Sequence, residues 1–358
     1  MGEVLRIGGE PAVTLTAEDA ATTGPAFIEA TVLPGRGMML LQARLRLASG
    51  EVVDAIAAPS LEEAARELDG GPDDFAGDKA FSFGGAILAP YANRIRGRPV
   101  EGIREIETDI AGRKVRLPRN WGGKAPGAEQ YAMHGLILAS AVPWMQPAVD
   151  RVTGRLAAGA FGGRWPGDTI LTFEWALAGG ALTLRVAAEN AGAEPLPMGI
   201  GWHPYFALPS GDRRQAMLHV AAASRTLVND YDEVLPTGAL EPVAGGPYDF
   251  NAPGGRPLGG AYLDDCFTAL RREGGLAFAE IRDPAAGLGL RIASPSPQVR
   301  AFQVYAPLDR AFVVVEPQFN LADPYGAAWR GRDTGMALIP PGGSVAYEAQ
   351  VSAFASGA

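Results

Sequence analysis

Along much of this chain apolar and polar positions alternate with a period of two. Met38 to Leu47 starts as a continuous apolar run and becomes alternating near its end, and Leu182, Leu184 and Val186 alternate with Thr183 and Arg185. Successive side chains of an extended strand point to opposite faces, so these segments predict strands with one buried face. Gly179-Gly180 separates LTFEWAL from ALTLRVAAEN, which predicts an antiparallel hairpin whose two turn positions are both free to take positive φ. Phe312-Val313-Val314-Val315 is too apolar for an edge strand and predicts a central one, with Glu316 at its end and Pro317 breaking the regular ladder. Only one helix is readable. Ser60 followed by Glu63 forms a capping box before LEEAARELDG, which stops at Gly70 and reads as a surface insertion. Trp121 to Gln130 has no period and several glycines, and it reads as a loop able to wall a cleft.

The composition supports a strand-rich fold. The 47 glycines and 29 prolines are spread through the chain rather than gathered in a linker, as expected for many strands joined by turns. No solenoid or propeller period is visible. The 358 residues could hold two average domains, but no boundary shows, so a single all-β domain over residues 1–358 is expected. Apolar residues make up 47% and charged ones 20%, enough for a large core.

A net charge of -9 and a pI near 5.0 argue against nucleic acid as a partner. The lone Cys266 excludes an intramolecular disulfide framework and multi-cysteine metal sites. The N-terminus lacks a basic region followed by an apolar run, Arg6 stands where a myristoylation signal needs Ser or Thr, and no apolar stretch is long enough to cross a bilayer. A cytoplasmic protein without a membrane partner is expected.

Five short motifs carry candidate chemistry. In GGAILAPYANRIRG, Asn93 and Arg94 follow an apolar run and should lie at a strand end, where ligand groups are common. His134 lies in YAMHGLI, with Gly135 permitting close approach. His203 lies in GIGWHPYFAL, where Trp202 and Tyr205 offer flat apolar faces with polar edges, suited to stacking on a sugar ring. His219 has no such company and is read as structural. In LDDCF, alternation sends Asp264 and Asp265 to opposite faces, so only one can face a shared cleft, while Cys266 reads as a small buried residue. Glu316, at the end of a buried strand, should be partly desolvated and so have a raised pKa. Imidazole paired with such a carboxylate supplies acid and base near neutrality without a metal.

Taken together and in order, PYANRI, MHGLI, GIGWHPYF, LDDCF and VVVEPQ, with VLPTGALEPVAGGPYDF between the second histidine and the aspartates, resemble the aldose 1-epimerase (mutarotase) family. The likeness runs from about residue 84 to about residue 350. It implies a large, mostly antiparallel β-sandwich with an open carbohydrate cleft, and interconversion of the α and β anomers of a monosaccharide with no cofactor and no metal. Carried over, Glu316 matches the general base and His203 the general acid, while His134, Arg94 and Asp264 match groups that hold the sugar, with Asn93, Trp202 and Tyr205 beside them. This assignment expects His203 protonated and Glu316 ionised near neutral pH, each favouring the other's charge.

Ala207 after Phe206, and Gly-Ile-Gly-Trp before His203, depart from the family pattern and leave the sugar open. Asp265 is an alternative to Asp264. A hexose 6-phosphate, suggested by Arg94, Arg96 and Arg98, is an alternative substrate; a glycoside hydrolase built on Glu316 and Asp264, or a non-catalytic sugar-binding protein, is an alternative class. The assembly expected is a monomer or homodimer.

Overall fold

In the computed structural model, which describes residues 5–17 and 24–356, the alternating segments form two large antiparallel sheets. The first residues, on which the reading of the N-terminus partly rests, lie outside the described ones. Met39–Arg46 buries its early apolar run and Ala43 and Leu45, while Gln42, Arg44 and Arg46 turn outward. Thr169–Ala178 and Ala181–Asn190 pair in register across a turn in which Gly179 and Gly180 both have positive φ, 59° and 75°, as the hairpin signal requires.

The apolar faces of the two sheets meet in one continuous core. Phe173, Trp175, Leu184 and Val186 from one sheet join Leu40, Ile87, Phe206, Val313 and Val315 from the other. Trp202 belongs to this core and is almost fully buried, its ring edge-on to Trp175 at 5.4 Å and its Nε1 donating to the Gly85 carbonyl at 3.2 Å. The expectation that Trp202 stacks on a ligand is therefore corrected. On the Gly201–Ala207 strand, Trp202 and Phe206 point between the sheets and His203 and Tyr205 point away.

The helix spans Leu61–Glu67 with the expected box: Ser60 Oγ accepts from the Glu63 amide, and the Glu63 carboxylate accepts from the Ser60 amide at 3.0 Å. It is more than a surface insertion. Ala64 and Leu68 pack in a second cluster with Phe81 and Tyr131, two rings that back the cleft described below. Among the described residues no helix is long and apolar enough to cross a membrane.

Four neighbouring strands of one sheet carry the site: Leu263–Leu270, Ala301–Ala306, Phe312–Gln318 and Gly201–Ala207, in that order. Pro317 does not end its strand, which runs on to Gln318. Its effect is more local. Gly201 pairs with Gln318 and Tyr205 with Val314 in a single register, yet no ladder pairs form between them. Pro204 and Pro317 supply no N–H there, so the ladder lapses where His203 lies opposite Glu316.

Candidate functional site

Residues directly opposed on adjacent antiparallel strands project from the same face. Gln303 is opposed to Glu316, and the register sets Glu316 against His203, so these three side chains form a row across the sheet. Asp264 is opposed to Tyr305, two residues along from Gln303, and so joins that face. The row forms the floor of a cleft of about 620 Å³. His134 and Arg94 enter from outside the sheet. Arg94 lies on a short strand paired with Gln130–Met133, and both Asn93 and His134 take left-handed backbone, each with φ 62°. Gly135 has φ 88°, and a Cβ there would meet the Ala89 carbonyl oxygen at 2.2 Å, so only glycine lets this turn lie against the sheet.

At the centre His203 Nε2 lies 3.4 Å from Glu316 Oε1, and the two side chains are almost completely buried. The ring of His134 meets that of His203 edge-on at 4.9 Å. Glu316 Oε2 and both ring nitrogens of His134 have no hydrogen-bond partner among the described residues, and His203 Nδ1 has none outside its own residue. Buried polar atoms left unpaired cost of the order of 1–3 kcal/mol each, a cost that a hydroxyl-rich ligand would remove. Donor atoms of His134, His203 and Glu316 also lie within 4.8 Å of one another, and these residues have the spacing to hold a divalent ion.

Around this centre runs a closed polar circuit. Arg94 Nη1 donates to Asn93 Oδ1 at 2.8 Å, Asn93 Nδ2 to Gln303 Oε1 at 3.1 Å, Gln303 Nε2 to Asp264 Oδ1 at 2.6 Å, and Arg94 Nη2 to Asp264 Oδ2 at 3.3 Å. Each member fixes the next, so the donors are set before any ligand arrives. Burial opposes the charge of Arg94, but Asp264 and the Tyr131 phenol outweigh it and hold the guanidinium above its ordinary pKa. Asn93 serves this circuit from a fully buried position.

Burial also decides the protonation of the central pair. It raises Glu316 well above the usual carboxylate range, with Asp264 adding to the effect and Arg94 opposing it. It lowers His203 to about 4, with the charge of Arg94 contributing, and lowers His134 well below its ordinary value. Burial thus favours the neutral form of each group, the carboxylic acid of Glu316 and the uncharged imidazole of His203. This reverses the charged arrangement expected from proximity alone, because both groups are desolvated at once.

The two aspartates separate as alternation requires. Asp264 lines the cleft, whereas Asp265 is buried on the other side, ion-paired with Arg225 Nη1 and accepting from the Tyr231 hydroxyl at 3.1 Å. Asp265→Asn is expected to lower stability by only about 1 kcal/mol, because Arg225 keeps its ion pair with Glu241 at 2.7 Å. Asp264→Asn should cost more, about 3 kcal/mol, because it leaves the buried Arg94 beside a neutral amide, and it should also disturb the cleft; thermal melts of the two variants check this contrast.

Tyr205 lines the cleft, its hydroxyl donating to the Phe81 carbonyl at 2.7 Å. Cys266 is buried, and burial raises its thiol above the ordinary range, so it is inert. His219 lies outside the cleft, stacked on Phe278. Arg96 and Arg98 are also outside it, paired with Glu129 and Glu107. Trp121, Gly122 and Lys124 do form part of the wall, as the aperiodic loop suggested. Sequence reading missed Gln303, Tyr131, Tyr262, Tyr305 and Phe312. Only Gln303 left a usable signal, as a lone amide inside the apolar run AFQVYA.

The large antiparallel β-sandwich is the fold of the galactose mutarotase-like proteins, and in this chain its cleft is floored by Glu316 and His203 and edged by aromatic rings. The model of the aldose 1-epimerase family matches residues 59–334, and the chain belongs to that family. Solved structures with the same fold include the aldose epimerase homologue from C. elegans, with a TM-score of 0.70 and 16% identity, covering 96% of this chain and 98% of that one. A galactose mutarotase-like protein from Clostridium acetobutylicum matches with a TM-score of 0.69 and 15% identity, over 92% of this chain and 93% of that one. Among curated proteins, YphB of Escherichia coli K12 is 30% identical over 118 residues, 32% of this chain and 35% of YphB. That match spans about a third of the relative's length.

Proposed function

We propose that the chain is a cofactor-independent aldose 1-epimerase that interconverts the α and β anomers of a free aldose. The observation that carries this reading is the near-contact of Glu316 and His203 at the cleft floor, with unpartnered polar atoms beside them. Ring opening needs an acid and a base at once. One member of the pair takes the proton of the anomeric hydroxyl as the other gives its proton to the ring oxygen; the bond from C1 to the ring oxygen breaks and the C1 carbonyl forms. The aldehyde then turns about its C1–C2 bond and recloses on the other face, with the two groups exchanging roles. For Glu316 to act as the base and His203 as the acid, ligand binding must favour the carboxylate and the imidazolium over the neutral forms that burial favours, and the charge of Arg94 helps the carboxylate. His134, Arg94 and Asp264 would hold the sugar hydroxyls, with Asn93 and Gln303 keeping Arg94 and Asp264 in place.

The alternatives are less well supported. Lys124 and Arg310 at the rim are matched by Asp232 and Asp309 in the same lining, a balance suited to a neutral ligand rather than a sugar phosphate. Asp264 is occupied by Arg94 and Gln303, and the group touching Glu316 is a histidine, which a two-carboxylate hydrolase would not need. Polarimetry on freshly dissolved α-glucose, α-galactose, a pentose and glucose 6-phosphate tests the reading. Accelerated mutarotation of a free aldose is expected. Acceleration confined to the phosphate would replace the substrate, and sugar binding without acceleration would replace the enzyme by a binding protein.

A further inference from the structure

Two chains of aromatic rings lead outward from the two histidines, and the exposure of the rings rises along both. From His203 the contacts pass to Tyr205 at 5.0 Å between centroids, Phe312 at 4.9 Å, Tyr305 at 6.1 Å, Tyr262 at 6.2 Å and Tyr231 at 5.3 Å. Tyr205 is 7% exposed, the next three rings are half-buried, and Tyr231 is 40% exposed. From His134 the contacts pass to Phe81 at 4.9 Å and on to Trp121 at 5.4 Å, which is 39% exposed. Both outer rings belong to one rim. The amides of Lys124 and Ala125, in the Trp121 loop, donate to the carboxylate of Asp232, next to Tyr231, and the Glu129 amide donates to Glu233 Oε1 at 2.7 Å.

A single aldose with its anomeric carbon at the buried pair would occupy the inner end of the cleft. It leaves Trp121 and Tyr231 uncovered, two large rings held in solvent at some cost. The cleft lies within the range of about 300–1,000 Å³ that accommodates drug-sized ligands, whereas a hexose has about half the atoms of such a molecule. With C1 at the floor, the ring edge remote from C1 points to the mouth. A second ring linked there would lie between Trp121 and Tyr231, which offer apolar faces to its C–H surfaces.

We propose that the rim is an outer subsite for a second pyranose, and that this chain prefers the reducing end of a disaccharide or longer oligosaccharide to the free monosaccharide. The inference rests on the epimerase reading given above. Polarimetry on wild type, Trp121→Ala and Tyr231→Ala, with α-glucose, α-maltose and β-cellobiose as substrates, tests it.

The expected result is a higher kcat/KM for at least one disaccharide than for glucose in the wild type. Each substitution should lower that disaccharide value about tenfold and leave glucose within twofold, the retained glucose rate reporting an intact fold. Because the Tyr231 hydroxyl also bonds Asp265, Trp121→Ala is the decisive variant if Tyr231→Ala loses stability. Glucose turned over at least as well as either disaccharide, or equal losses on both classes, overturns the outer subsite and leaves the epimerase reading intact. Wild type that accelerates none of the three sugars ends both.

Discussion

Glu316→Gln is expected to lower the rate of anomer interconversion by at least about 100-fold, the scale of a general acid or base, without lowering the melting temperature. The amide matches the carboxyl in size and sits in the same 1%-exposed position, but it cannot exchange a proton. The stability half follows from the raised pKa. A carboxyl whose folded pKa lies above its ordinary 4.5 contributes stability that is fully present below 4.5 and is lost as pH rises through the folded value. Wild type should therefore lose stability progressively on the alkaline side of 4.5, and the amide variant should lose less. Polarimetric rates with thermal melts across that range check both halves. A less than tenfold loss of rate would remove Glu316 from the chemistry, and a lower melting temperature at every pH would mean that the carboxyl is structural. A group that destabilises its surroundings while enabling the reaction is a common signature of an active site.

His203→Ala is the second large effect, again at least about 100-fold. It also alters the pH profile. On the proposed mechanism the pair works with one proton, so wild-type kcat/KM should be level between the titrations of the two groups. It should fall on the acid side as a second proton enters at the imidazole, lowered to about 4, and on the alkaline side as the raised carboxyl gives up its own. Stability linked to His203 has the opposite sense to that of Glu316. It is full above the ordinary 6.5 and is lost as pH falls through about 4, because the folded protein disfavours the charged ring. In the alanine variant the acid limb assigned to the imidazole should vanish. Burial is the main reason Glu316 is raised, and opening space beside it admits water, so the alkaline limb should move toward lower pH. A variant that retains wild-type rate and both limbs would exclude His203 from the pair.

The sandwich holds Glu316, His203 and Gln303 by sheet register rather than by loops. Gln303, Glu316 and His203 occupy one row on three adjacent strands, and two prolines interrupt the ladder at the row's most important step. A strand slipped by one residue would send each of these side chains into the intersheet core. Asn93, Arg94 and His134 come from outside the sheet, and this part of the backbone is pinned by left-handed turns at Asn93 and His134 and by the close approach of Gly135 to Ala89.

The sequence by itself determined whatever depends on local pattern. The period of two placed the strands, Gly179-Gly180 the hairpin, Ser60 and Glu63 the start of the helix, and the alternation in LDDCF put Asp264 and Asp265 on opposite faces, leaving to the structure which of them enters the cleft. The ordered motifs marked His134, His203, Glu316, Arg94 and Asp264 as companions, and all five line one cleft. Tertiary structure decided what depends on neighbours far away in the chain. Trp202 and Tyr205 are both aromatic and three positions apart, and only the opposing sheet makes one a core residue and the other part of the cleft wall. Gln303 became part of the polar circuit because its strand lies between those of Asp264 and Glu316. The charge of the Glu316–His203 pair was decided for the same reason: proximity can be read from motifs, but desolvation is a property of everything packed around a group, and here it is the largest influence on both and favours their neutral forms.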